Sequence, residues 1–77
     1  MISLSYLPIG QKAKISGFSA NEKMGLRFME MGLKVNETIQ VLGKLPFGGN
    51  LIILSKYGKY SLRSSSASQI QVNEISS

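Results

Sequence analysis

The sequence predicts a small, mainly β domain: a closed barrel of about five short strands with one α-helix inserted after the first strand. Three observations carry this. Short apolar segments, most of them alternating with polar residues, recur at 12–16, 38–45, 51–54, 60–63 and 70–72. Clusters of Gly, Pro, Asn and Ser separate them. Only the stretch that follows Ser19 has helical spacing. Short strands in a chain of 77 residues would leave exposed sheet edges, and closure into a barrel removes them.

The elements follow in chain order. Residues 4–10 form an apolar lead-in ending in a turn, with Leu4 and Leu7 placed to plug one end of a core. Pro8 and Gly10 argue against a helix there. In the first strand, 12–16, Ala13 and Ile15 face inward and Lys12 and Lys14 face water. Ser19 and Glu22 have the spacing of a capping box, and Gly32 is a left-handed stop. Between them Ala20, Met24, Phe28 and Met31 share one helical face, which should pack on the sheet. Gly25 weakens the helix interior by roughly 1 kcal/mol relative to Ala.

Leu26 and Met29 fall on the other face, and Leu33, just past the helix, extends that stripe. Isolated exposed Leu or Met is common. A contiguous second apolar face marks a surface for a protein partner instead, and methionine suits adaptable contacts.

A turn at 34–37 leads into the strand 38–45, with Ile39, Val41 and Leu45 inward and Gly43 at a bulge or bend. Residues 46–50 are a turn cluster in which Gly48 and Gly49 supply positive φ. Leu51-Ile52-Ile53-Leu54 is a strand buried on both faces or pressed against the helix. After a turn at 57–59, Tyr60 and Leu62 point inward. Residues 64–69 are a polar connection or a single helical turn, 70–72 a closing strand, and 74–77 a fraying end. There is no internal repeat and no domain boundary, so 1–77 reads as one domain.

Composition restricts the chemistry. The chain has no Cys, His or Asp, and its four side-chain carboxylates are Glu22, Glu30, Glu37 and Glu74. The commonest general base, thiol nucleophile and transition-metal ligands are therefore missing, and the glutamates are spread over separate segments. No catalytic residue, cofactor site or metal site is assigned. Gly48-Gly49-Asn50 lacks the helix start and the Gly-Lys-Ser/Thr ending of a phosphate-cradling loop. No apolar run approaches the roughly 20 residues of a membrane span, and the N-terminus lacks the charge and apolar stretch of a signal peptide. A cytoplasmic protein is expected, with no membrane insertion.

The net charge is +5. Its nine basic residues stand singly along the chain, which reads as a solvated surface rather than a phosphate-binding face. Nucleic-acid binding by a small basic barrel remains the alternative function, with Tyr57 the one exposed aromatic suited to stacking a base. Arg27 and Arg63 differ from the lysines: each carries a rigid, always-charged fork that either clamps a turn or reaches a partner.

A family resemblance covers nearly the whole chain. Arg27-Phe28-Met29-Glu30-Met31-Gly32-Leu33 resembles the Arg-Leu-x-x-Leu/Met-Gly-Leu helix end of the FeoA family, small cytoplasmic proteins of bacterial ferrous-iron transport. Leu4, Leu7 and Gly10 resemble its lead-in, Ala13 and Ile15 its first strand, and Ile39 and Val41 its second. Residues 46–50 resemble its Pro-x-Gly-x-Pro turn, and Tyr60-Ser61-Leu62-Arg63 with Ala67, Ile70 and Val72 its closing segment. Two departures stand out. Val35-Asn36 replaces a common Pro-Gly, and Asn tolerates the left-handed backbone. Asn50 replaces a second Pro, which should loosen the hairpin tip.

The resemblance implies an SH3-like barrel, also found as the last domain of iron-dependent repressors. Without a helix-turn-helix ahead of it, this chain is expected to stand alone. It further implies a non-enzymatic accessory or regulator of FeoB, the membrane ferrous-iron transporter with a cytoplasmic GTPase domain. The candidate partner-binding residues are Leu26, Met29, Leu33, Arg27 and Arg63. Weak self-association through the same stripe is a further option. So is GTPase activation by Arg27 or Arg63 supplied in trans, which can raise hydrolysis by roughly 10³–10⁵.

Overall fold

The computed structural model describes residues 2–19 and 22–75. One antiparallel sheet holds six strands: β1 (Ile2–Ser3), β2 (Lys12–Phe18), β3 (Thr38–Lys44), β4 (Leu51–Ser55), β5 (Gly58–Leu62) and β6 (Ile70–Glu74), in the order β1-β6-β2-β3-β4-β5. Helix α1 (Glu22–Glu30) lies between β2 and β3, and a single helical turn, α2 (Ser64–Ala67), between β5 and β6. The sixth strand is the two-residue β1 in the lead-in. Leu4–Tyr6 then forms one 3₁₀ turn, short enough to end before Pro8.

The sheet wraps around one core, in which Leu4, Leu7, Ala13, Ile15, Ile39, Val41, Ile53, Ile70 and Val72 are among the fully buried side chains. Alternation places them. In β2, Ala13 and Ile15 point inward while Lys12 and Lys14 face solvent, as the sequence predicts. The two edge strands, β1 and β5, are not paired with each other among the described residues, and α2 links β5 to β6. Ser3 of β1 donates its hydroxyl to the Ala67 carbonyl of α2 (3.3 Å), and Ser64 donates to the Gly48 carbonyl (2.9 Å). The serine-rich connection thus seals the seam.

The bulge expected at Gly43 is present, with the β3–β4 register slipping between Val41 and Gly43. It corrects one expectation. Unbroken alternation would turn Leu45 inward, but the extra residue reverses the phase. Lys44 now stands opposite Leu51, its Nζ reaching the Ser5 carbonyl (3.3 Å), and Leu45 is exposed. Likewise β4 is buried on one face only: Leu51 and Ile53 point into the core, whereas Leu54 is exposed. The sheet is a single layer here, and Leu54 pairs with Gln40 and Lys59 on its outer side.

The turns match their residue chemistry. Asn36 adopts φ +76°, the left-handed backbone that Asn tolerates, and its N–H donates to the Ile15 carbonyl (2.7 Å). At the β3–β4 tip the positive φ falls on Gly48 (+71°), as expected, and on Phe47 (+60°) rather than Gly49. Asn50 does not loosen this tip: its Nδ2 donates to the Ser61 hydroxyl (2.8 Å) and its carbonyl accepts from the Leu45 N–H (2.9 Å).

Candidate functional site

Helix α1 brings together most of the candidate residues, so its placement comes first. The proposed capping box at Ser19 and Glu22 spans Ala20 and Asn21 and lies outside the described residues, as does the placement of Ala20 on the inner face. The backbone N–H and hydroxyl of Ser19 both donate to the Gln69 carbonyl, at 2.8 and 3.4 Å. The helix's other end is fully defined. Gly32 sits at φ +80°, with its N–H on the Met29 carbonyl (3.0 Å) and the Leu33 N–H on the Phe28 carbonyl (2.8 Å). These two bonds make a Schellman motif, and Phe28 and Leu33 supply its apolar contact in the core. The hydroxyl of Ser55, at the end of β4, donates to the Met31 carbonyl (2.7 Å) and so satisfies another orphan group of the helix end.

Phe28 anchors the inner face. It is 1% exposed and stacks on Phe18 of β2, with ring centroids 5.5 Å apart. Met24 and Met31 pack beside it against the core. The opposite face carries Leu26 and Met29, which remain 59% and 53% exposed, as the helical spacing predicts. Leu33 is not part of that stripe. The left-handed step at Gly32 swings it into the core, where it is 0% exposed, so it is removed from the candidate surface.

Arg27 and Arg63 are 36 positions apart in sequence, yet both line one cleft of about 330 Å³. Met24, Arg27, Phe28 and Met31 of α1 form one wall. Ser61 and Leu62 of β5, then Arg63 and the α2 residues Ser65 and Ser66, form the other. The backbone of Arg63 is fixed, its carbonyl accepting from the N–H groups of Ser66 and Ala67 (3.0 Å each), while its side chain is exposed. Among the described residues neither arginine side chain has an ion-pair or hydrogen-bond partner. The one ion pair there is Lys56–Glu37, at 3.9 Å and solvated. Among the described residues no carboxylate lines the cleft.

The cleft serines were hidden in the sequence by their setting in a polar connection. The available signal was an arginine followed directly by three serines at a strand end. The lysines are spread over the molecule, with Lys12 and Lys14 on β2, Lys23 on α1, Lys44 on β3 and Lys59 on β5. Tyr57 is exposed but lies over Gly32, and Lys56 Nζ is 5.9 Å from its ring centroid. Tyr60 is half-buried against the core. A second exposed apolar spot lies at the β3–β4 tip, where Phe47 is 104% exposed beside Leu45.

Among the described residues no three His, Cys, Asp or Glu side chains converge as metal ligands. No helix there is long and apolar enough to cross a membrane.

These features define a small SH3-like β-barrel with one helix laid outside its sheet, an exposed apolar helix face, and a cleft lined by two arginines. The FeoA domain family model matches residues 2–74, and the chain belongs to that family. None of the curated proteins matches it. Among solved structures, a FeoA-like protein from Clostridium acetobutylicum is 29% identical, with a TM-score of 0.87 over 99% of this chain and 88% of that one. A FeoA from Stenotrophomonas maltophilia, solved with zinc, is 26% identical, with a TM-score of 0.80 over 95% of this chain and 91% of that one. It is described as a prokaryotic SH3 domain protein and a candidate ferrous iron transport activating factor. A manganese-dependent transcriptional repressor shares the fold at 22% identity and a TM-score of 0.86; the match spans 95% of this chain and 41% of the repressor. This chain has no Cys, His or Asp, so among the usual zinc ligands it offers only glutamate.

Proposed function

We propose that this protein is a non-enzymatic, cytoplasmic accessory of bacterial ferrous-iron transport that acts by binding the GTPase part of a FeoB-like transporter. The observation that carries the reading is the outer face of α1. Leu26 and Met29, adjacent at i and i+3, expose apolar surface from a helix whose inner face already fills the core. Arg27 stands beside them and supplies the charge that fixes orientation and speeds encounter. Family membership and the activating-factor description of the Stenotrophomonas relative support the iron-transport setting. The lack of His, Cys and Asp supports a partner role over catalysis or metal carriage.

The test is a calorimetric titration of the transporter's purified cytoplasmic part with this protein, in the GDP and GTP-analogue states. Saturable binding is expected, with a loss of at least tenfold in affinity for the Leu26→Glu, Met29→Glu double variant. Full affinity in a folded double variant rejects this surface. Absence of binding by the unaltered protein in both nucleotide states rejects the partner.

A further inference from the structure

We propose that the cleft between α1 and the β5–α2 corner is a binding site for an acidic peptide segment, with Arg27 and Arg63 holding one carboxylate from opposite walls. The inference deepens the partner reading above by naming the chemistry of what binds, and it concerns the cleft that Arg27 shares with Arg63 rather than the apolar pair Leu26 and Met29.

Four observations converge. First, the two arginines come from elements distant in sequence and line the same cleft. Second, among the described residues neither arginine side chain has a partner and no carboxylate lines the cleft, which leaves both forks facing it without a described counter-charge. Third, the hydroxyls of Ser65 and Ser66 also line the cleft without a hydrogen-bond partner there. Fourth, apolar surface also lines the cleft, mainly from the half-buried Met24 and Met31, with Phe28 and Leu62 almost wholly buried behind them.

The combination selects the ligand. An inorganic oxyanion would use the arginines and serines but not the apolar wall. A peptide with a carboxylate next to an aliphatic side chain uses both. At about 330 Å³ the cleft has room for a few side chains. Charge complementarity favours an acidic segment, since the protein carries +5 overall. Arginine matches a carboxylate bidentately, and this gives the site a preference that a lysine pair would lack. The outer edge of β5, which has a strand neighbour only on its β4 side, borders the cleft through Ser61 and Leu62. An extended segment therefore finds backbone groups along that wall as well.

The experiment is an NMR titration of ¹⁵N-labelled protein with three probes. These are an end-blocked hexapeptide of alternating glutamate and leucine, its glutamine counterpart, and inorganic phosphate. The resonances followed are the amides of Ser65 and Ser66 and the Nε–H groups of Arg27 and Arg63. The glutamate peptide is expected to shift them saturably, with the glutamine peptide and phosphate each at least tenfold weaker. Arg27→Ala and Arg63→Ala should each weaken the glutamate peptide by roughly 10-fold or more, the magnitude of a lost charge-assisted hydrogen bond. The corresponding lysine variants should fall between. Both side chains are exposed, so the variants keep the fold, and the unshifted remainder of the spectrum checks this. Equal binding of the two peptides, stronger response to phosphate than to peptide, or indifference to both alanine variants overturns the proposal. A charge-neutral Leu26→Gln, Met29→Gln variant should bind the glutamate peptide unchanged. Transporter binding without peptide binding thus rejects the cleft and leaves the transporter standing, while the reverse result does the opposite.

Discussion

Helix α1 presents apolar side chains on two faces, and the two meet opposite fates. Phe28, with Met24 and Met31 beside it, closes the barrel core. Leu26 and Met29, two residues before and one after Phe28 in sequence, stay more than half exposed. Hydrophobicity does not separate them; their phase relative to the sheet does. Leu33 sharpens the point. By helical phase it continues the outer stripe, yet the left-handed step at Gly32 turns the chain and buries it completely. A single backbone angle thus decides which side of the molecule an apolar residue serves.

The largest expected effect on the fold comes from the inner face. Phe28→Ala removes a buried ring and its stacking on Phe18, and should lower stability by about 3–5 kcal/mol in urea denaturation. A loss below about 1 kcal/mol would mean that the helix is an appendage rather than part of the core, and the contrast between its faces would collapse.

Gly32→Ala comes next. The substitution places a Cβ 2.9 Å from Tyr57 Cδ2 at a backbone φ of +80°. Holding a non-glycine residue there costs about 1–3 kcal/mol, and the ring must also move. The expected outcome is a drop in stability of that size with the sheet intact, read by denaturation together with the amide spectrum of β4. An unchanged protein would show that the Schellman stop is not what directs Leu33 inward.

Gly25→Ala has a smaller effect of opposite sign. A Cβ at this position meets nothing within 4 Å, and the residue lies within α1. Stability should rise by about 0.5–1 kcal/mol as helix propensity improves. A decrease would reveal a close approach to α1 that the free protein requires.

The sequence was most legible where one rule acted alone. Period-two alternation found the inward residues of β2 and the pairing of Tyr60 and Leu62 with the core. Gly32 and Asn36 were found as left-handed positions because few other residues tolerate that backbone. Alternation failed at Leu45, where a bulge of one residue reversed the phase. The bulge itself was legible at Gly43, but its consequence for the next side chain was not drawn from it. The arginine cleft was legible only as two separate residues. Their meeting depends on α2 sealing the gap beside β5, a long-range arrangement that no local pattern encodes.

The smallest effect on the fold belongs to the outer face, and it is the result on which the contrast depends. Replacing Leu26 and Met29 together by Glu exchanges exposed apolar surface for charge, and exposed substitutions usually stay within about 0.5 kcal/mol of neutral. Glu matches Leu and Met in helix propensity, so only the repulsion between the new charge at position 29 and the helix C-terminus remains, about 0.3–1 kcal/mol at an exposed site. The double variant should therefore unfold at nearly the same urea concentration as the unaltered protein. A loss approaching that of Phe28→Ala would make the stripe a second structural face rather than a free one. Near-neutrality means that the apolar character of Leu26 and Met29 adds nothing to folding, and leaves contact with another molecule as the property it serves.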